Sequence, residues 1–113
     1  MSEETIFEKI LKGDIPCEEV YSDEICLAFK DILPQAPIHI LIIPRKHIKG
    51  LHEISIVDKS MLGHLILTST KIAEMLNLKD WRIIINNGEK AGQTVFHLHV
   101  HLIAGRELKW PPG

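Results

Sequence analysis

The sequence predicts an α+β domain, with a mostly antiparallel sheet of about five strands, one short helix and one long helix. Three observations predict it. Phe96–Leu102 alternates histidine with apolar residues at a period of two, the mark of a strand with one core face. Between Val57 and Leu76 apolar residues recur at three- and four-residue intervals, the mark of a helix lying on a sheet. The other apolar runs are short and are joined by brief polar connections, which favours hairpins over parallel crossovers. At 113 residues the chain is expected to form one domain, 1–113, because it is too short for two independent cores.

Thr5-Ile6-Phe7-Glu8 has the spacing of a capping box, and Ile6, Phe7, Ile10 and Leu11 continue it as one helical face. Gly13 and Pro16 stop this helix after about two turns. Glu18–Tyr21 and Ile25–Lys30 read as a hairpin around Ser22-Asp23-Glu24. Asp31–Pro37 is a connection, since Pro34 and Pro37 exclude a helix and a central strand. Ile38–Ile43 is an apolar strand interrupted by His39 and ended by Pro44, and Arg45-Lys46-His47-Ile48-Lys49 reads as a solvated strand end. The long helix starts near Ser55 or Val57, runs to Leu76, and holds His64 in a structural or surface role. Arg82–Asn86 and Thr94–Ala104 are the last two strands, separated by the glycine-containing loop 87–93.

Composition excludes several functions. A formal charge of -2 and the lack of a basic face argue against gripping nucleic acid. No apolar run is long enough to span a bilayer, and no basic amphipathic helix suggests a membrane surface. Met1-Ser2-Glu3-Glu4 lacks the basic and apolar regions of a signal peptide, so the expected location is cytoplasmic. Cys17 and Cys26 make no metal or redox spacing and are expected to be free thiols.

The chemistry concentrates in His97, His99 and His101. On a strand they line one face, roughly 6.5–7 Å apart, with Leu98, Val100 and Leu102 pointing into the core. Such a row can ligate zinc, or it can act on phosphorus, because a neutral imidazole is a nucleophile near pH 7. It can also merely face water. The neighbouring Asn86, Gly92, Gln93 and Thr94 are hydrogen-bond donors suited to an anion rather than extra metal ligands, which favours phosphorus. No GxxxxGK[ST] loop is present, so kinase or ATPase chemistry has no support.

His97-Leu98-His99-Val100-His101-Leu102-Ile103 resembles the motif of the histidine triad (HIT) family. Asp31–Pro37 with His39 and Ile42-Ile43-Pro44 resembles the family's upstream segment. Asn86, Gly88, Gly92-Gln93-Thr94 and Trp110-Pro111-Pro112-Gly113 resemble its nucleotide-binding branch. The resemblance implies a HIT-like fold, a homodimer whose sheets join into one, and a hydrolase of purine nucleoside 5′-phosphoramidates that needs no metal or other cofactor. It implies that His99 is the nucleophile, that His101 lies by the phosphate and leaving group, and that His97 and His39 support them. It further implies that Asp31 binds ribose and Ile32 walls the nucleoside pocket, that Asn86, Gly92, Gln93 and Thr94 contact phosphate, and that Trp110 in the tail meets the leaving group. Thr94 stands where relatives often carry Ser, Ala91 replaces a common glycine, and Lys109 beside Trp110 also varies. Alternative expectations are a dinucleoside polyphosphate hydrolase of a sister branch, and a nucleotide-binding scaffold or zinc-binding protein without catalysis.

Overall fold

The sheet is antiparallel throughout. A computed structural model describes residues 4–113, and Met1–Glu3, which bear on the signal-peptide expectation, lie outside it. In chain order the elements are α1 (Ile6–Leu11), β1 (Glu19–Ser22), β2 (Cys26–Lys30), β3 (Ile38–Pro44), α2 (Lys59–Met75), β4 (Trp81–Ile84) and β5 (Val100–Ala104). The five strands are ordered β1-β2-β3-β5-β4, and every neighbouring pair is antiparallel. The predicted α+β class, with a five-stranded antiparallel sheet, one short helix and one long helix, is the observed one.

Period-two alternation decides which residue goes to which face. Cys26 and Ala28, Ile40 and Ile42, Val100 and Leu102 point to one side, where Leu65 and Ile72 of α2 close the main core. Leu27, Phe29, Leu41 and Ile43 point to the other side, where Phe7 of α1 covers them. Both faces of β3 are therefore buried, and its sequence is correspondingly apolar at nearly every position. His39 is the exception, and it faces the α1 side.

The short helix is held at its start as its sequence indicates. The Thr5 N–H donates to Glu8 Oε1 at 2.9 Å, and the Glu8 N–H donates to Thr5 Oγ1 at 3.2 Å. Gly13, at φ +82°, turns the chain out of the helix. The long helix begins later than Ser55 because Ile56–Asp58 forms a single 3₁₀ turn first. It closes on Asn77 at φ +55°, with the Leu78 N–H donating to the Ala73 carbonyl at 2.8 Å. Its outer face leaves Leu67 and Met75 exposed.

The first three strands fall within one residue of expectation at each end, and the last two need larger correction. The last strand covers Val100–Ala104, not Thr94–Ala104. Its register on β3 sets Val100 opposite Ile42, so two residues further along Leu98 would face Pro44. Proline has no N–H to donate, and the Leu98 N–H donates to the Ile48 carbonyl instead, at 2.7 Å. His97 and His99 therefore lie in irregular chain before the strand. The fourth strand is Trp81–Ile84 rather than Arg82–Asn86, and Asn86 belongs to the loop that follows.

The Arg45–Lys49 segment is also more than a solvated strand end. Lys46 pairs with buried Asp58 at 2.6 Å, Arg45 donates to Ser22 Oγ and to the Asp23 carbonyl at 2.7 Å each, and Ile48 is buried. These contacts bind it to the hairpin and to the start of α2.

Candidate active site

Four of the seven histidines gather on the α1 side of the sheet: His39 from β3, and His97, His99 and His101 at the entry to β5. They form a cluster rather than the evenly spaced row expected of a strand. The rings of His99 and His101 lie 4.9 Å apart, and those of His39 and His101 lie 5.2 Å apart. His97 turns away from this group, is wholly buried, and reaches the Pro44 carbonyl. The irregular backbone before β5 permits this turn.

Backbone groups fix which nitrogen of each ring carries its proton. The Gln35 N–H can only donate, so His39 Nδ1, 3.0 Å away, accepts. Neutral His39 then carries its proton on Nε2, which donates to His101 Nδ1 at 2.9 Å. His101 in turn keeps its proton on Nε2. The His97 carbonyl can only accept, so His99 Nδ1–H donates to it at 2.7 Å, and the His99 Nε2 lone pair has no partner among the described residues. The Pro44 carbonyl likewise takes His97 Nε2–H at 2.8 Å. The arrangement thus pairs a free nitrogen lone pair on His99 with an N–H donor on His101.

Burial keeps these rings neutral. It is the largest cause lowering the proton affinity of His39, His97 and His99 below the ordinary value. His101 is pushed down to about 4, by burial first and then by His99 and His39, with Asp31 opposing. Phe7 enforces this environment. Its ring meets His99 edge-on at 4.9 Å and His97 at 6.1 Å.

Two cavities adjoin here and share Asp31, Thr94 and His101. One, of about 230 Å³, is mainly apolar, with Phe7, Ile10, Phe29 and Ile32 around His99. The other, of about 390 Å³, carries Gln35, His39, Asn86 and Gly92. Asp31 Oδ1 accepts the Leu33 N–H at 2.9 Å, while Oδ2 lies 3.4 Å from His39 Nε2. One oxygen of the carboxylate therefore holds the turn while the other faces the histidines. Ile32 is 86% exposed and lines the apolar cavity. Gly92 adopts φ +97°, a left-handed backbone that residues with a Cβ rarely take, and this turn sets it beside Asn86.

Two expected site residues are placed elsewhere. Gln93 is buried, and its side chain is spent within the loop. Oε1 accepts the Gly88 N–H at 2.8 Å, and Nε2 donates to the carbonyls of Lys49 and Val95 at 2.7 and 3.2 Å. The amide expected as a phosphate donor is thus a strut that ties loop 87–93 to Lys49. Trp110 is 81% exposed and lines neither cavity, while Arg82 holds the tail through the carbonyls of Leu108 and Lys109. A further cleft of about 840 Å³ beside that tail touches none of the histidines.

Phe7, the Gln35 amide and the Pro44 carbonyl are the contributors that sequence reasoning missed. Phe7 looked like ordinary helix core, and backbone groups carry no residue-type signal. Asp31, His39 and His101 bring one oxygen and two ring nitrogens within 4.8 Å of one another, a donor set that zinc accepts. His39 Nε2 is already hydrogen-bonded to His101 Nδ1, and the Gln35 amide occupies the other nitrogen of His39.

Fold and site together define a class of small α+β protein with an imidazole cluster on one face of an antiparallel sheet. The model of the HIT domain matches residues 12–108, and the chain belongs to the HIT family. It is 50% identical to an uncharacterized HIT-like protein of Synechocystis over the full length of both chains. A HIT family hydrolase from Legionella pneumophila superposes with a TM-score of 0.94 at 40% identity, over 97% of this chain and 100% of that one. A histidine triad nucleotide-binding protein from Candida albicans superposes at 0.83 and 32% identity, over 96% of this chain and 83% of that one. The fold is that of HIT family hydrolases. No helix among the described residues is long and apolar enough to cross a membrane.

Proposed function

We propose that the protein hydrolyses purine nucleoside 5′-phosphoramidates through a covalent nucleotidyl-His99. The observation that carries this reading is the pairing of a free His99 Nε2 lone pair with a His101 Nε2–H, both set by backbone hydrogen bonds. The purine fits the apolar cavity against Ile32, Phe7 and Phe29, with Asp31 beside the ribose. The α-phosphate then lies at the seam between the cavities, within reach of Thr94, His99 and His101. Asn86 and Gly92 line its far side.

His99 Nε2 attacks phosphorus and the P–N bond breaks. The amine departs with a proton from solvent, and neutral His101 Nε2–H, too weak an acid to give that proton up, donates a hydrogen bond to a phosphoryl oxygen beside the cationic nucleotidyl-His99. Water then attacks phosphorus, its proton passes to solvent, and the bond to His99 breaks. Among the described residues lining the polar cavity Asp31 is acidic and no lysine or arginine is present. That supports an amine leaving group over a polyphosphate one. The free edge of β4 at the end of the sheet supports the homodimer, and the outlying Trp110 suits a tail that serves the partner's site.

The test is hydrolysis of an adenosine phosphoramidate by wild type and by His99→Ala. The variant should be slower by at least about 10³-fold, and chelator should leave the wild type unaffected. Quenching with labelled substrate should leave the label on His99. Equal activity in His99→Ala, or chelator-sensitive activity restored by Zn²⁺, would overturn this mechanism. Faster cleavage of a dinucleoside polyphosphate would overturn the substrate class.

A further inference from the structure

His47 and Glu8 lie outside the triad, yet they form a path to it from the surface. His47 follows β3 and sets its Nδ1 3.4 Å from the Nδ1 of His97, with the two rings meeting edge-on at 5.3 Å. Glu8 Oε1 lies 3.6 Å from the same His47 nitrogen. That oxygen also accepts the Thr5 N–H, so one carboxylate braces both α1 and His47. Because the Pro44 carbonyl takes His97 Nε2–H, His97 Nδ1 is a bare acceptor in a wholly buried ring. Among the described residues His47 is its hydrogen-bond partner. An unpaired nitrogen at that depth is costly, and a ring freed of one of its two anchors can rotate.

We propose that His47, braced by Glu8, is a positioning residue that locks the His97 ring and, through the His97 carbonyl, aims His99 at phosphorus. The inference rests on His99 being the nucleophile. Its physical route is short: His47 donates to His97 Nδ1, Pro44 receives His97 Nε2–H, and the His97 carbonyl, held between them, receives His99 Nδ1–H at 2.7 Å. Neither His47 nor Glu8 lines the two cavities, so they act on the reaction without touching a substrate there.

Three variants and two readouts test it. His47→Ala removes the donor. His47→Asn restores an N–H donor near the position of Nδ1. Glu8→Gln keeps the capping box but removes the charge. His47→Ala should lower kcat on an adenosine phosphoramidate by about 10-fold or more while KM stays within about 2-fold, as expected when a group supporting a site residue is removed. His47→Asn should recover most of the loss, and Glu8→Gln should fall between the two. Imidazole ¹⁵N spectra should show a single Nε2–H form of His97 in wild type and in His47→Asn, and a mixture in His47→Ala. A wild-type kcat in His47→Ala overturns the proposal, as does a folded His47→Asn that is as slow as His47→Ala. If wild type cleaves no phosphoramidate, the functional reading fails, and the His97 spectra still decide whether His47 locks the ring.

Discussion

Lowering the pH from 7.5 to 4.5 should unfold this protein far more readily than its carboxylates alone would explain, and His101 should be the main reason. In the fold its pKa is pushed down to about 4, mainly by burial, against an ordinary value of 6.5. Between those values the unfolded chain binds a proton at this position and the folded chain does not. Stability therefore rises with pH across that window and is lost as pH falls through it. The gap is worth roughly 3 kcal/mol once pH 4 is reached, at about 1.4 kcal/mol per pH unit. His39, His97 and His99 are shifted in the same direction and steepen the same slope. The assay is urea unfolding of wild type and His101→Gln at unit steps from pH 7.5 to 4.5. Wild type should lose stability steeply below about pH 6.5, and the variant should lose roughly 2–3 kcal/mol less over the same range. Parallel curves for the two proteins would refute the reasoning, because they would mean that His101 charges as easily in the fold as outside it. The neutral state of His99 on which the mechanism depends would then lose its physical basis, since the same burial produces both shifts.

A separate acid window should belong to Asp23, whose carboxylate accepts the N–H groups of Ile25 and Cys26 at 2.8 Å each, the Tyr21 hydroxyl at 2.9 Å, and His64 Nε2 at 2.7 Å. Burial raises its pKa, but those backbone and side-chain donors outweigh it and hold the group well below the usual carboxylate range. Its contribution is present above about pH 4 and disappears below that, after the histidine window has closed, and Asp23→Ala should cost about 3 kcal/mol at pH 7 by urea unfolding. Phe7→Ala should cost about 3–5 kcal/mol, because its ring fills the space between Phe29, at 5.7 Å, and the imidazoles. It should also lower kcat, checked by steady-state kinetics on a sample shown to be folded by circular dichroism.

The capping box at Thr5 and Glu8, the Asp23 hairpin and the α2 stripe were legible because each depends on residues close in sequence. The histidine motif was legible only in part, and Pro44 shows why. Period two placed Leu98, Val100 and Leu102 in the core, and all three are buried. The same period implied a regular strand carrying three equivalent imidazoles. Whether a strand stays paired depends on what stands opposite, however, and continuing the register would set Leu98 against Pro44, which cannot donate. The ladder stops there, the backbone is released, and His97 can turn toward Pro44 while His99 donates back to the His97 carbonyl. The proton positions were invisible for a related reason. They are set by the Gln35 amide and by two carbonyls, groups common to almost every residue, whose effect comes only from where the fold puts them. Gln93 shows the converse: a side chain with the right chemistry for phosphate is consumed in holding Gly88 and Lys49. Residue type thus located the imidazole cluster, while backbone groups placed by the fold decided which nitrogen of each ring carries its proton.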